Sequence, residues 1–263
     1  MSIINTVKTA LTLAAVLGAI LVTGCVSSTT GPFTKEADAN KALDRRVALA
    51  RQYIGEGDWD NAKRNLQLAQ EIDPSRAEVA EAFGLVYQQT GEFELAEESF
   101  ETSIRLDKSC SRCRNNYAVF LFSQERYKDA EKQLQIVTRD SLYNNRPNAF
   151  VNLGLCRQRL FDPQGAEEAF VRALTMDRTN RIALRELSVI RFEAGDYTAA
   201  SQYYSSLRRV VRQQSAAELW LGIRLARAIG NPDAEASYAL ALENRFPDSA
   251  EHQAYLRTLN GGE

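Results

Sequence analysis

From Ala77 to Cys110 the chain reads AEVAEAFGLVYQQTGEFELAEESFETSIRLDKSC, with apolar residues three and four apart on both sides of Thr90 and Gly91. That spacing predicts two amphipathic helices of roughly thirteen residues joined by a short turn. In the first helix the fourth, seventh, eighth and eleventh positions carry the stripe as Ala80, Phe83, Gly84 and Tyr87. The same places later hold Phe150, Leu153 and Gly154, then Leu184 and Leu187. The second helix opens on an aromatic residue with alanine three further on: Trp59 and Ala62, Phe93 and Ala96, Tyr127 and Ala130, Tyr197 and Ala200. Alanine lets two helices approach closely, and the ring is expected to plug the junction beside it. Two helices this short bury one face only, so they need neighbours of the same shape.

The neighbours are present. Ala62, Ala96, Ala130, Ala166, Ala200 and Ala234 follow one another at intervals of 34, 34, 36, 34 and 34. This register defines units at 43–76, 77–110, 111–144, 147–180, 181–214 and 215–248, with Asn145 and Arg146 as an insertion. The period, and the order Gly84, Tyr87, Ala96, Phe100, resemble the tetratricopeptide pattern. The resemblance implies an all-α fold: a right-handed superhelix of six helix-turn-helix units closed by a C-terminal capping helix. Gly57, Gly91, Gly195 and Gly230 stand at the turns, where a positive φ closes each hairpin. The fourth turn departs from this, with Phe161, Asp162 and Pro163. After Pro247, Asp248 and Glu251 suggest a capping box for a last helix over 249–259, so 249–263 reads as cap and tail.

The N-terminus differs from the repeats. An apolar run from Leu11 to Val22 is shorter than the roughly twenty residues that span a membrane, and small residues follow it. VTGC at 22–25 resembles a bacterial lipobox, which implies a signal peptide over 1–24, cleaved before a lipidated Cys25. Residues 25–42 then read as lipidated cysteine and flexible tether, being rich in Ser and Thr without apolar periodicity. Val26 and Ser27 after the cysteine resemble lipoproteins forwarded to the outer membrane. The expected location is its periplasmic face.

Charge adds little. A net charge of −2 with mixed signs gives no pull toward nucleic acid. The unit 77–110 holds eight acids against Arg105 and Lys108, and 181–214 six arginines against three acids, a contrast that mostly solvates the outer face.

More telling are the second, fifth, ninth, twelfth and thirteenth positions of each first helix, which face the inside of the superhelix. They hold Val47, Ile54, Leu85, Val119, Phe122, Val151, Leu155, Val189, Phe192, Leu219 and Ile223. A solvated face seldom gathers so many apolar residues, so the expectation is a groove for an extended peptide or amphipathic helix. Ile54, Leu85, Phe122 and Phe192 are its expected anchors, alongside Val47, Val119, Leu155 and Val189.

Cys110 and Cys113, as CSRC at a unit junction, suit a small disulfide in an oxidising compartment; Cys113 with Cys156 is the competing pairing. The spacing matches a redox motif, but no strand-helix-strand context surrounds it. No enzyme, metal site or cofactor is expected: His252 has no second ligand at metal spacing and reads as a surface residue. Glu97 with Glu98, and Glu167 with Glu168, are adjacent on helices and point apart.

The stretches NNYAVFLFSQERYKDAEKQL at 115–134, DSLYNNRPNAFVNLGLC at 140–156 and LWLGIRLARAIGNPDAEASYALALENRFPDS at 219–249 resemble the PilF/PilW lipoproteins of type IV pilus biogenesis. The resemblance covers essentially the whole mature chain. It implies a monomeric, non-enzymatic adaptor, lipid-anchored in the outer membrane, that binds secretin subunits and promotes their insertion and multimerisation. It also implies a pairing of a third-unit cysteine with the position of Cys156, although that third-unit site here is Phe122. A tetratricopeptide lipoprotein of the β-barrel assembly machinery and an adaptor of peptidoglycan enzymes are the alternative readings.

Overall fold

The computed structural model describes residues 32–259, which form thirteen α-helices with no strand among them. The chain divides into two compact units, 1–45 and 46–263. Of the first, the described part belongs to α1 (Pro32–Glu56). The expected signal peptide, Cys25 and the final residues of the tail lie outside the described residues. The expected tether does not hold over 32–42, because α1 already starts at Pro32. Proline at the first helical position presets φ, and Lys, Glu and Ala after it favour helix without any apolar stripe.

The second unit carries the repeats. The remainder of α1 is followed by α2 (Trp59–Ile72), and then come α3 (Ala77–Thr90) with α4 (Phe93–Leu106) and α5 (Ser111–Ser123) with α6 (Tyr127–Val137). The order continues with α7 (Arg146–Arg159) and α8 (Pro163–Met176), α9 (Arg181–Glu193) and α10 (Tyr197–Val210), α11 (Ala216–Ala228) and α12 (Pro232–Arg245), and ends at α13 (Ala250–Leu259). All six phased alanines but Ala234 are wholly buried, as crossing points of helices require. Gly84 and Gly154 serve the same crossing from the first helix. A Cβ on Gly84 would meet the Phe100 ring at 2.8 Å, and one on Gly154 the Phe170 ring at 2.6 Å.

The helix ends are set locally. Asp58, Asp162, Asp196 and Asn231 each accept a backbone N–H three residues on, capping the second helices of four units. Ser215 and Glu218 form a full capping box at α11. The box expected at Asp248 is absent: α13 begins at Ala250, and the Ser249 hydroxyl takes the His252 N–H at 3.1 Å. His252 is correspondingly buried rather than on the surface, with Nδ1 donating to the Pro247 carbonyl at 2.7 Å.

All six turns carry one residue of positive φ. Four are the expected glycines, and the others are Glu125 (φ 60°) and Phe161 (φ 59°). The aromatics that open the second helices plug less than expected, since Phe93 and Tyr197 remain exposed. Tyr127 and Tyr197 instead lean on the end of the preceding helix, 5.1 Å from Phe122 and 5.3 Å from Phe192.

The open face of the first helices

Along each first helix, positions five and nine lie one turn apart, yet the structure treats them differently. Position five is a seam. Val47, Glu81, Asn115, Val151 and Leu219 occupy it and are buried, while in the fifth unit Arg185 is half-buried and pairs with Glu186. Val47, Val151 and Leu219 therefore leave the expected groove and join the core, as does Ile223. Leu219 and Ile223 pack with Ala239 and Leu242 of α12, where Phe246 and Tyr255 close the end of the array.

The seam is partly polar. Glu81 has no exposed side chain and is ion-paired to Arg51 on α1 and, at 3.5 Å, to Arg112 on α5, with Asn116 donating to it as well. Asn152 on α7 donates to Asn115 on α5 at 3.2 Å. Arg181 on α9 grips the buried Glu218 on α11 through two hydrogen bonds of 2.7 Å. Burial works against the charge on Glu218, but Arg181 and the Ser215 backbone N–H outweigh it and hold the carboxyl below its ordinary range. Such pairs fix the stagger of neighbouring repeats, because a slip would leave a charge buried alone.

Before the last unit, whose position nine is the buried Ile223, positions nine and twelve form the open face. Leu85, Val119, Phe122, Leu155, Val189 and Phe192 are half-buried or exposed, as is Ile54. Three of them converge. Val119 and Phe122 of α5 and Leu155 of α7 line a pocket of about 200 Å³, with Leu134 and Cys156 also in its wall and Asn152 as a polar contributor. Its opening is built into the sequence by Ala118, which stands at the register position of Gly84 and Gly154 and contributes little side chain to fill it. Val119, 41% exposed, is unusually open for a valine flanked by buried Ala118 and Phe120. Ile54, Leu85, Val189 and Phe192 lie outside this pocket. Leu85 rests on the central core cluster and Val189 with Phe192 on the cluster of the fifth unit.

Two groove rings carry a guanidinium, which sequence reasoning missed. Arg159 lies over Phe122 at 6.0 Å and Arg224 over Phe192 at 4.3 Å. The signal was there, an arginine in the following unit's first helix for each ring, but a register position does not say which way a long side chain folds.

Cys110 and Cys113 are joined by a disulfide at the start of α5, and Cys156 is a free, buried thiol. The competing pairing of Cys113 with Cys156, and the pairing implied by the family resemblance, are absent. Burial, with a smaller contribution from Glu131, pushes the Cys156 thiol up to about 12, so it is neutral at physiological pH.

Helical hairpins with phased alanines, stacked through polar seams, define a class, the tetratricopeptide repeat proteins, and a tetratricopeptide repeat family model matches residues 81–141 and 153–217. Within that class, the type IV pilus assembly protein PilF of Pseudomonas aeruginosa is 34% identical over 238 residues, covering 90% of this chain and 94% of that protein. A solved structure of Pseudomonas aeruginosa PilF matches with a TM-score of 0.80 at 33% identity, over 84% of this chain and 99% of that one. The crystal structure of PilW, described as a widely conserved type IV pilus biogenesis factor, matches with a TM-score of 0.72 at 26% identity, over 81% of this chain and 98% of that one. The chain belongs to the PilF/PilW family of tetratricopeptide proteins of type IV pilus biogenesis.

Proposed function

We propose that this protein is a pilotin: an adaptor, lipid-anchored through Cys25 at the periplasmic face of the outer membrane, that binds secretin subunits and promotes their localisation and multimerisation. It acts as a monomer and without catalysis. The observation that carries the reading is the apolar pocket where Val119, Phe122 and Leu155 converge on an otherwise water-exposed face. An apolar side chain of a client entering it gains about 1.5–3 kcal/mol from burial, enough to bias capture but weak enough for release during assembly. Ile54, Leu85, Val189 and Phe192 extend the contact to either side, so a client spanning several repeats binds by many modest terms rather than one.

Complementation of a strain lacking the gene tests this. Phe122→Glu with Leu155→Glu places charge in the pocket, and the expected result is loss of secretin multimers and of twitching with normal protein levels. Cys25→Ser is expected to abolish outer-membrane retention. Wild-type multimer levels with the pocket charged would overturn the reading, and general loss of outer-membrane barrels would point to the β-barrel assembly alternative.

A further inference from the structure

The arginines of the first helices are held in different ways. Arg51, Arg112, Arg157, Arg181, Arg185, Arg191 and Arg227 each have a carboxylate within ion-pair distance, and Arg46, Arg114 and Arg146 donate to side-chain amide or backbone carbonyl oxygens. Arg159 and Arg224 have an aromatic ring instead, and no carboxylate within that distance among the described residues. Both rings are groove positions, Phe122 and Phe192, and Phe122 is itself part of the pocket wall. A guanidinium laid over a ring keeps its N–H edge free, and that edge suits the two oxygens of a carboxylate.

The pocket supplies the second half of the recognition. Its volume of about 200 Å³ compares with the roughly 150 Å³ apolar cavity that takes up benzene, so one aromatic side chain fits. Arg159 stands beside that pocket through its contact with Phe122, so a carboxylate adjacent to the bound aromatic falls within its reach. Arg224 lies two repeats on, about 20 Å at ordinary helix spacing, which an extended chain covers in about six residues. Glu193, exposed at the end of α9 between them, disfavours a uniformly acidic run and favours separated carboxylates.

We propose that the client segment is an extended stretch in which an aromatic residue enters the pocket of Val119, Phe122 and Leu155 and two carboxylates, set about six residues apart, engage Arg159 and Arg224. This rests on the adaptor reading and assigns the chemistry of what the adaptor holds. It excludes a basic amphipathic segment.

Fluorescence anisotropy with the purified full-length chain tests it, using three fluorescein-labelled decapeptides that share phenylalanine at position two. Positions three and nine are both aspartate, both asparagine or both lysine. The aspartate peptide is expected to bind roughly tenfold tighter than the asparagine peptide, the scale of a charge-assisted contact, with the lysine peptide weakest. The double variant Arg159→Glu with Arg224→Glu is expected to reverse that order while its circular dichroism and melting stay those of the wild type. Equal or tighter binding of the lysine or asparagine peptide, no binding of any of the three, or an unchanged order in the double variant would overturn the proposal. Secretin capture lost in Leu155→Glu but retained in the arginine double variant would leave the adaptor standing and remove this client chemistry from it.

Discussion

Gly154 is the position where one methyl group has the most calculable effect. It sits in the middle of α7, two residues from Cys156 in the pocket wall, and a Cβ there would lie 2.6, 2.7 and 2.8 Å from three atoms of the Phe170 ring. Carbon atoms in ordinary contact stand about 3.5–4.0 Å apart, so the ring or the helix must give by about 1 Å. Phe170 is wholly buried among Ala166, Ala169 and Ala173 and has no open space to enter. Overpacking of this kind costs about 1–3 kcal/mol, and three simultaneous close contacts put it near the upper end. Alanine recovers about 1 kcal/mol of helix propensity, leaving Gly154→Ala about 2 kcal/mol less stable. For an array of this length that lowers Tm by about 4–8 °C. Gly55, in the last turn of α1, is the internal control, because a Cβ there meets nothing within 4 Å. Gly55→Ala is expected to gain up to about 1 kcal/mol from propensity alone. Thermal melts of both variants by circular dichroism at 222 nm decide the matter. A Gly154→Ala protein as stable as Gly55→Ala would refute the close-approach account of the α7–α8 crossing.

Further consequences follow from the turns, the seams and the cysteines. Phe161 is 92% exposed and left-handed, so Phe161→Gly loses no packing and relieves backbone strain, with a gain of about 0.5–1 kcal/mol in urea unfolding. The folded carboxyl of Glu218 is held below its ordinary range, so its pairing stabilises fully at neutral pH and is lost as pH falls through the folded value. Glu218→Gln should therefore be less stable than wild type at pH 7, with the difference shrinking below about pH 4 in melts taken across pH. Cys156, with its thiol at about 12, is expected to stay unlabelled by iodoacetamide in the native protein at pH 7.5 and to react on unfolding. Peptide mapping without reductant should recover Cys110 linked to Cys113 and no peptide linked to Cys156.

The sequence carried the repeats because they are written in short-range terms: an alanine at each crossing, a turn residue before it, an apolar stripe at helical spacing. It could not separate position five from position nine. Both lie on one helical face, four residues apart, and whether Val47 or Leu85 meets water depends on where the next first helix packs, a tertiary fact. A hint existed in Glu81 and Asn115, polar residues at the same position five, which make sense only once their partners Arg51 and Asn152 are seen across the seam. The left-handed backbone at Glu125 and Phe161 was hidden for a different reason: glycine signals a left-handed residue, but its absence does not forbid one when the flanking helices impose it. The early start of α1 was missed because the absence of an apolar stripe was read as the absence of helix.

If clients are held on the open face of the first helices, a side chain there reaches them and one on the outer face does not. A photo-crosslinking amino acid placed at Val119, or at Leu240 on the exposed side of α12, measures this directly in cells that make the secretin. A crosslinked secretin band is expected from position 119 and none from position 240. Crosslinking from position 240 with none from position 119 would show that clients are held elsewhere.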